Sequence, residues 1–206
     1  IVALALPFCH LGDLGKAYSG FGPLWGGEVL WWALFVFIIF YVLVIERRPL
    51  SSIGFRAPGV MDLVLGFIFA VVMVFGMGFI FSVLLPALHW SVAQKITALF
   101  QAPFWFRILL VTRAAFVEEI AFRGYGFERL TEFSGSKWLA ALVTCALFTL
   151  AHYSGGGWGQ VIIAAWGGVM LTALYLWRRN LWANILCHWL TDGVGFLLMP
   201  MAGTHH

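Results

Sequence analysis

Long apolar stretches separated by short polar segments dominate this sequence. A helix that spans the hydrocarbon core of a bilayer needs about 20 mostly apolar residues. Several stretches come close to that length, and they predict about six transmembrane helices. We place these helices at roughly residues 28–45, 60–85, 104–127, 137–153, 160–177 and 181–199. Pro86 is expected to end the second helix, and the third is the most polar.

Composition supports a membrane protein. Hydrophobic residues make up 62% of the chain and charged residues 10%, whereas soluble domains have about 45–50% and about 25%. The net charge of +3 gives no strong basic field, so we expect no nucleic-acid partner. Cys9, Cys145 and Cys187 lie far apart and show neither disulfide nor metal spacing. We therefore predict an all-α, polytopic helical bundle that forms one integral membrane domain over residues 1–206.

The connecting segments differ in positive charge, which predicts the topology. Arginine and lysine collect after the first, third and fifth predicted helices, at Arg47, Arg48, Arg56, Arg129, Lys137, Arg178 and Arg179. The segments 89–103 and 153–160 carry only Lys95. Because positive loops stay cytoplasmic, both chain ends are expected on the outer face. Residues 86–103 are expected to lie along the membrane surface.

The third predicted helix carries Glu118, Glu119 and Arg123 within an otherwise apolar run. A charged side chain at the bilayer centre costs about 2.5–3.5 kcal/mol or more, and such residues usually mark function. Glu119 and Arg123 are four residues apart and can pair on one helix face. Glu118 is rotated from Glu119 by about 100°, so we expect it to be freer and to serve as a general base. The alternative is an ion-pair cluster that only fixes helix packing.

Two further apolar helices carry polar residues. His152 ends the fourth, while His188 and Asp192 share a face of the sixth, with Asn184 one turn earlier. In the core of a bundle these side chains and the glutamates would form one polar pocket. Glu118 and His152 could activate a water molecule. Equally, Glu118, His152 and His188 could hold a divalent metal ion, most plausibly zinc, with an open coordination position. Both arrangements perform hydrolysis.

Other hydrolase and nucleotide-binding motifs are absent from the sequence. There is no Gly-x-Ser-x-Gly elbow, no His-Glu-x-x-His and no phosphate-binding glycine loop.

The polar residues resemble, in order, the three motifs of the CAAX protease and bacteriocin-processing family, also called the CPBP or Abi family of intramembrane proteases. The three motifs are Glu118-Glu119-x-x-x-Arg123, Phe148-x-x-x-His152 and His188-x-x-x-Asp192. The resemblance covers roughly residues 51–198. It implies an all-helical membrane enzyme that cleaves peptide bonds within or beside the bilayer.

The resemblance also implies roles for the site residues. Glu118 and His152 would activate the hydrolytic water, and His188 and Asp192 would support the oxyanion. Glu119 and Arg123 would shape the site. Members of the family commonly have asparagine at the position of Asp192, and an ionised carboxylate cannot donate a hydrogen bond to an oxyanion. Asp192 is therefore expected to be protonated, to orient His188 or to help bind a metal.

Our hypothesis from the sequence is an intramembrane endopeptidase in a prokaryotic cytoplasmic membrane. Its partners would be membrane lipid and a hydrophobic peptide or lipidated protein substrate. Water activation without a metal and a zinc-bound water both remain open, as does the oligomeric state. Two alternatives come from other classes: a non-catalytic immunity or scaffold protein that keeps the fold, and a proton-coupled carrier.

Overall fold

A computed structural model of the chain describes residues 22–91, Leu99 and 102–198, and the side chains of this part from residue 26 onward. Six helices account for most of the described residues. α1 is Gly22–Phe40 and continues through a π-helical turn, Tyr41–Ile45. α2 is Val60–Ala87 with a π-helical turn at Ile80–Leu84. α4 is Lys137–Ala151 and α5 is Tyr153–Arg178. α6 is Leu181–Gly193 followed by a π-helical turn, Val194–Leu198.

α3 is the longest helix and is widened in the middle. It runs through Phe104–Arg113, a π-helical segment Ala114–Gly126, and Phe127–Ser134. A π-helix closes its hydrogen bonds between residues five apart rather than four, and such segments are frequent at functional sites. The segment contains all three ionisable residues that the sequence singled out in the third helix. The widened turns therefore decide which side chains share a face there.

The predicted six-helix pattern is confirmed, with three boundary corrections. α3 continues to Ser134 rather than ending at residue 127. α5 begins at Tyr153 rather than residue 160, and Gly157 interrupts it with φ 66° and ψ −159°. Glycine adopts this conformation without steric cost, which permits the kink. The residues before the kink are helical, where a loop was expected. Pro86 lies within the last turn of α2, which ends at Ala87.

Within the part of the chain that the structure describes, three helices are long and apolar enough to cross a membrane by themselves. They are Gly26–Ile45, Val60–Ala87 and Tyr153–Arg178, with mean hydropathies of 2.5, 2.7 and 1.6. α4 is a shorter apolar helix, and α3 and α6 each carry several of the buried polar and charged residues. Phe67 and Phe75 of α2 are 58% and 76% exposed, as expected for side chains that face lipid. The chain is an all-α integral membrane bundle.

α3 lies at the centre of the bundle. Its Val117, Ile120 and Ala121 are fully buried, and they belong to a core cluster that also includes Ile38 of α1 and Phe148 of α4. A second cluster joins α2 to α5 and α6 through Met73, Leu171 and Cys187. Gly66 permits this close packing, because a Cβ atom there would lie 2.8 Å from the backbone oxygen of Ala183. The polar residues of α3, α4 and α6 are thereby held between these two clusters.

The basic segments meet at one end of the bundle. Arg48 pairs with Glu132, Arg129 with Glu46, and Arg179 with Glu128. The amide of Leu181 also donates to the oxygen of Gly54 at 2.9 Å. This common end agrees with the predicted topology, whose cytoplasmic assignment stays a prediction.

Two predictions concern the end of the bundle opposite the basic segments: that it lies on the outer face, and that residues 86–103 lie along the membrane surface there. Arg107 and Arg113 are not loop charges, because Arg107 donates to the oxygen of Phe196 at 2.8 Å and Arg113 pairs with two glutamates inside the bundle. Of the surface segment expected at residues 86–103, His89 and Trp90 are exposed, and most of the rest lies outside the described residues. Cys9 also lies outside them, while Cys145 and Cys187 are free thiols.

We predict that Glu46 stabilises the fold above acidic pH. Partial burial alone would raise its pKa, but the hydrogen bonds and charge of Arg129 hold the pKa of Glu46 below its ordinary value of 4.5. A carboxylate with a lowered folded-state pKa contributes stability above its unfolded pKa and loses it as pH falls through the folded value. Glu46→Gln should therefore lower the melting temperature at neutral pH, and the gap to wild type should close as pH falls below 4.5.

Thermal unfolding in detergent micelles over a pH series measures this gap. Glu132→Gln is the control. Glu132 pairs with Arg48 and, at 3.3 Å, with Arg129, but its side chain is 49% exposed, and exposed pairs contribute little. A gap for Glu46→Gln that widens on acidification, or equal effects of the two variants, would contradict the prediction.

Candidate active site

Glu119 is completely buried and holds three side chains together. Its Oε1 accepts hydrogen bonds from Nη1 of Arg123 at 3.0 Å and Nδ1 of His188 at 2.8 Å. Its Oε2 accepts from Nδ2 of Asn184 at 3.1 Å. Arg123 also donates to the oxygen of Gly168 at 3.1 Å. This network joins α3 to α5 and α6, and we call it the Glu119 network: Glu119, Arg123, Asn184 and His188.

Glu118 points to a different neighbourhood from Glu119. Its Oε1 accepts a hydrogen bond from Nη1 of Arg113 at 3.0 Å. Its Oε2 lies 4.0 Å from Nε2 of His152. The Glu118 side chain is 13% exposed, whereas that of Glu119 is 0% exposed. The two adjacent carboxylates are thus separated: one is enclosed by donors, and the other keeps one oxygen toward a histidine.

The hydrogen bond of His152 fixes the role of its ring nitrogens. Nδ1 lies 2.8 Å from the oxygen of Phe148, four residues earlier on α4. A carbonyl oxygen only accepts, so Nδ1 carries the proton. In the neutral ring Nε2 is then an acceptor, and it faces Oε2 of Glu118. The structure therefore places two acceptors opposite each other.

His188 has a carboxylate at each ring nitrogen. Nδ1 faces Glu119, and Nε2 lies 3.5 Å from Oδ2 of Asp192, one turn later on α6. The second distance is at the outer limit of a hydrogen bond, so a proton on Nε2 is not tightly held by Asp192. Three roles were expected for Asp192, and this geometry fits the one in which Asp192 orients the ring of His188.

These side chains surround a cavity of about 190 Å³. The polar residues that line it, among those described, are Arg113, Glu118, His152, Gln160, His188 and Asp192. Its apolar wall includes Met73 and Met77 of α2, Ile163 and Leu171 of α5, and Phe196 of α6. Glu119 and Arg123 do not line the cavity and stand behind it. The cavity therefore brings a carboxylate and an imidazole, those of Glu118 and His152, together with a largely apolar wall.

The predicted site residues converge as the sequence suggested, with one unexpected partner. The pairing of Glu119 with Arg123 is confirmed. Glu118 is freer than Glu119, as expected, since it has one hydrogen-bonded side-chain partner where Glu119 has three. That partner, Arg113, was not expected. Residues five apart do not share a face of a regular α-helix, but the π-helical segment that begins at Ala114 brings them closer together. Sequence reasoning also missed Glu28 of α1 and Gln160 of α5.

The residues predicted to bind a metal do not form a metal centre. Among the described residues, no three His, Cys, Asp or Glu side chains are grouped so that they could hold a metal ion. Arg113 already places a positive charge on Glu118, and both nitrogens of His188 face carboxylates. This donor set does not fit zinc, so we derive no step through a metal. The sequence leaves a zinc-bound water and metal-free water activation open, and a chelator distinguishes the two.

One comparison with known proteins gives a match. The family model described as Type II CAAX prenyl endopeptidase Rce1-like matches residues 100–194. This segment contains all six candidate site residues and confirms the resemblance to the CAAX protease family. At the level of the family it supports an intramembrane endopeptidase. No curated protein and no solved structure matches the chain.

We predict that the two neighbouring glutamates differ in their effect on stability. Glu119→Gln removes the one carboxylate that binds Arg123 among the described residues. Arg123 is 1% exposed, and breaking a buried ion pair costs about 3–5 kcal/mol. Glu118→Gln should cost much less, because Arg113 keeps Glu28 as a partner. Thermal unfolding of both variants in the same detergent measures the difference. Equal losses, or a larger loss for Glu118→Gln, would contradict the division between the two carboxylates.

Proposed function

We propose that this chain is a metal-independent intramembrane endopeptidase in which Glu118 and His152 activate a water molecule. One observation supports this most directly: Oε2 of Glu118 and Nε2 of His152 are acceptors 4.0 Å apart at the same cavity. A water oxygen about 2.8 Å from each acceptor would see them about 90° apart. This angle is close to that between the two O–H bonds of water. One water could therefore donate to both groups and aim its lone pairs at a substrate.

The proposed reaction is general acid–base hydrolysis. The water oxygen attacks the carbonyl carbon of the scissile peptide bond while Glu118 accepts the water proton. The C–N bond of the tetrahedral intermediate then breaks, and Glu118 returns that proton to the leaving amine. His152 holds the water through its second hydrogen bond. The products are a new carboxyl terminus and a new amino terminus, and the carboxylate of Glu118 is restored.

His188 is the proposed donor to the oxyanion. Its Nδ1 is anchored on Glu119, which leaves Nε2 as the nitrogen that can turn to the developing negative charge. Asp192 cannot donate when ionised. Its proposed role is to orient the His188 ring, whose Nε2 it faces at 3.5 Å. Preorganised donors of this kind typically contribute about 10²–10³-fold to rate.

The proposed substrate is a hydrophobic peptide or a lipid-anchored protein segment. Met73, Met77 and Leu171 give the cavity an apolar wall, and methionine side chains adapt to apolar groups of different shape. The name of the matched family refers to prenylated CAAX ends, and we include such peptides among the candidates. We place the enzyme in a prokaryotic cytoplasmic membrane, where it takes its substrate from the bilayer or its edge.

The test is peptide cleavage by the purified protein in liposomes, using a pool of hydrophobic, prenylated and acylated peptides. We predict that Glu118→Gln lowers kcat by about 10³-fold, the middle of the range for general acid–base catalysis. Glu132→Gln, which makes the same change on the surface, should cleave like wild type. If wild type and Glu118→Gln cleaved alike, the catalytic role of Glu118 would be wrong and the scaffold alternative would be favoured.

A chelator arm tests the metal-free part of the proposal. Cleavage by wild type should survive 1,10-phenanthroline, because neither Glu118 nor His152 needs a metal to bind the water. Loss of cleavage that added zinc restores would contradict water activation without a metal. It would leave the endopeptidase itself intact.

A further inference from the structure

Arg113 lies between two carboxylates from different helices. Its Nε donates to Oε1 of Glu28 at 3.2 Å, and its Nη1 donates to Oε1 of Glu118 at 3.0 Å. The ring of Trp31 lies against the guanidinium, 5.4 Å from its Cζ atom. The side chains of Arg113, Glu28 and Glu118 are only 11%, 7% and 13% exposed. Two residues of α1 thus hold the arginine that holds Glu118.

This arrangement controls which oxygen of Glu118 is available. An arginine paired with one carboxylate tends to bind both of its oxygens. Here the Nε side of the guanidinium is taken by Glu28, and the hydrogen bond to Glu118 reaches Oε1 alone. Oε2 of Glu118 is left toward His152. The second carboxylate also offsets the positive charge of Arg113, so that Glu118 is not neutralised by a dedicated ion pair.

We propose that Arg113 is a positioning residue for Glu118 and that Glu28 is a positioning residue for Arg113. We call Glu28, Arg113 and Glu118 the Glu28 clamp. The proposal rests on the proposed function, since positioning matters only if Glu118 acts on a water. It extends the site to α1, which lies outside the segment 100–194 that matches the family. α1 thereby contributes to the rate without touching the substrate.

The expected effects fall on kcat and not on KM. A small misplacement of a catalytic group can cost up to about 10²-fold. We expect Arg113→Gln to lower kcat by about 100-fold and Glu28→Gln by about 10-fold. KM should stay within about twofold of wild type in each, because the proposed role of both residues is to position Glu118 and not to bind the substrate. Arg113→Lys should recover part of the loss by restoring a cation. Because Glu28 acts through Arg113, the double variant Glu28→Gln/Arg113→Gln should be no slower than Arg113→Gln alone.

Asp62→Asn is the matched control for Glu28→Gln. Asp62 is 4% exposed and Glu28 is 5% exposed, and each is a buried carboxylate of an apolar helix that pairs with an arginine. Asp62 pairs with Arg178 and does not line the cavity. We expect Asp62→Asn to lower the melting temperature by a similar amount and to leave kcat within about twofold of wild type, since independent packing sites act separately.

The experiment measures kcat and KM in liposomes for all these variants with a peptide that wild type cleaves, beside Glu118→Gln. Size-exclusion profiles and melting temperatures identify any variant that fails to fold, and Arg113→Lys and Glu28→Gln are the mildest changes. The clamp would be overturned if Glu28→Gln left kcat unchanged or if Asp62→Asn lowered kcat as much as Glu28→Gln does. It would also be overturned if the variants raised KM without lowering kcat, or if the losses of kcat added up in the double variant. The proposed function would still stand if Glu118→Gln were inactive. Activity in Glu118→Gln would overturn both.

Discussion

The carboxylate of Glu119 is the group on which the rest of this structure depends. It is fully buried at the centre of an apolar bundle, where an unpaired charge would be very costly. Arg123, Asn184 and His188 together satisfy both of its oxygens, and Arg123 reaches on to the backbone of α5. The position of α6 against α3 is therefore fixed by polar contacts as well as by packing. His188 reaches the cavity in one orientation, because its other nitrogen is bound.

The different surroundings of Glu118 and Glu119 follow from the need to pair the buried carboxylate of Glu119. Since Glu119 takes the donors of the Glu119 network, Glu118 faces away from it, toward α1 and α4. There it meets one cation, Arg113, and one acceptor, Nε2 of His152. A carboxylate that is held at one oxygen and open at the other suits a general base. The stability of the bundle and the proposed chemistry are thus divided between neighbouring residues of one π-helical segment.

Much of this arrangement can be predicted from the sequence. The length of the apolar stretches predicts the helices, and the few ionisable residues within those stretches predict the site. The pairing of Glu119 with Arg123 follows from spacing alone. The pairing of Arg113 with Glu118 does not, because the local change from α- to π-helix alters which residues share a face. Glu28 is a single acidic residue near the start of a helix, and nothing local shows that it meets Arg113, 85 positions away. Gln160 was predicted to begin the fifth helix because the glycines at 155–157 indicate a turn, whereas the structure has a further helical turn before the kink at Gly157.

Isotope labelling gives the most direct test of the account, whose central claim is that Glu118 activates water and does not attack the substrate itself. Single-turnover cleavage would be run in H₂¹⁸O with enzyme in excess, and the products and a Glu118-containing fragment would be weighed by mass spectrometry. Activation of water by Glu118 and His152 predicts one ¹⁸O atom in every new carboxyl terminus and none in Glu118. Unlabelled product, or ¹⁸O in the side chain of Glu118, would show a covalent intermediate and contradict the account.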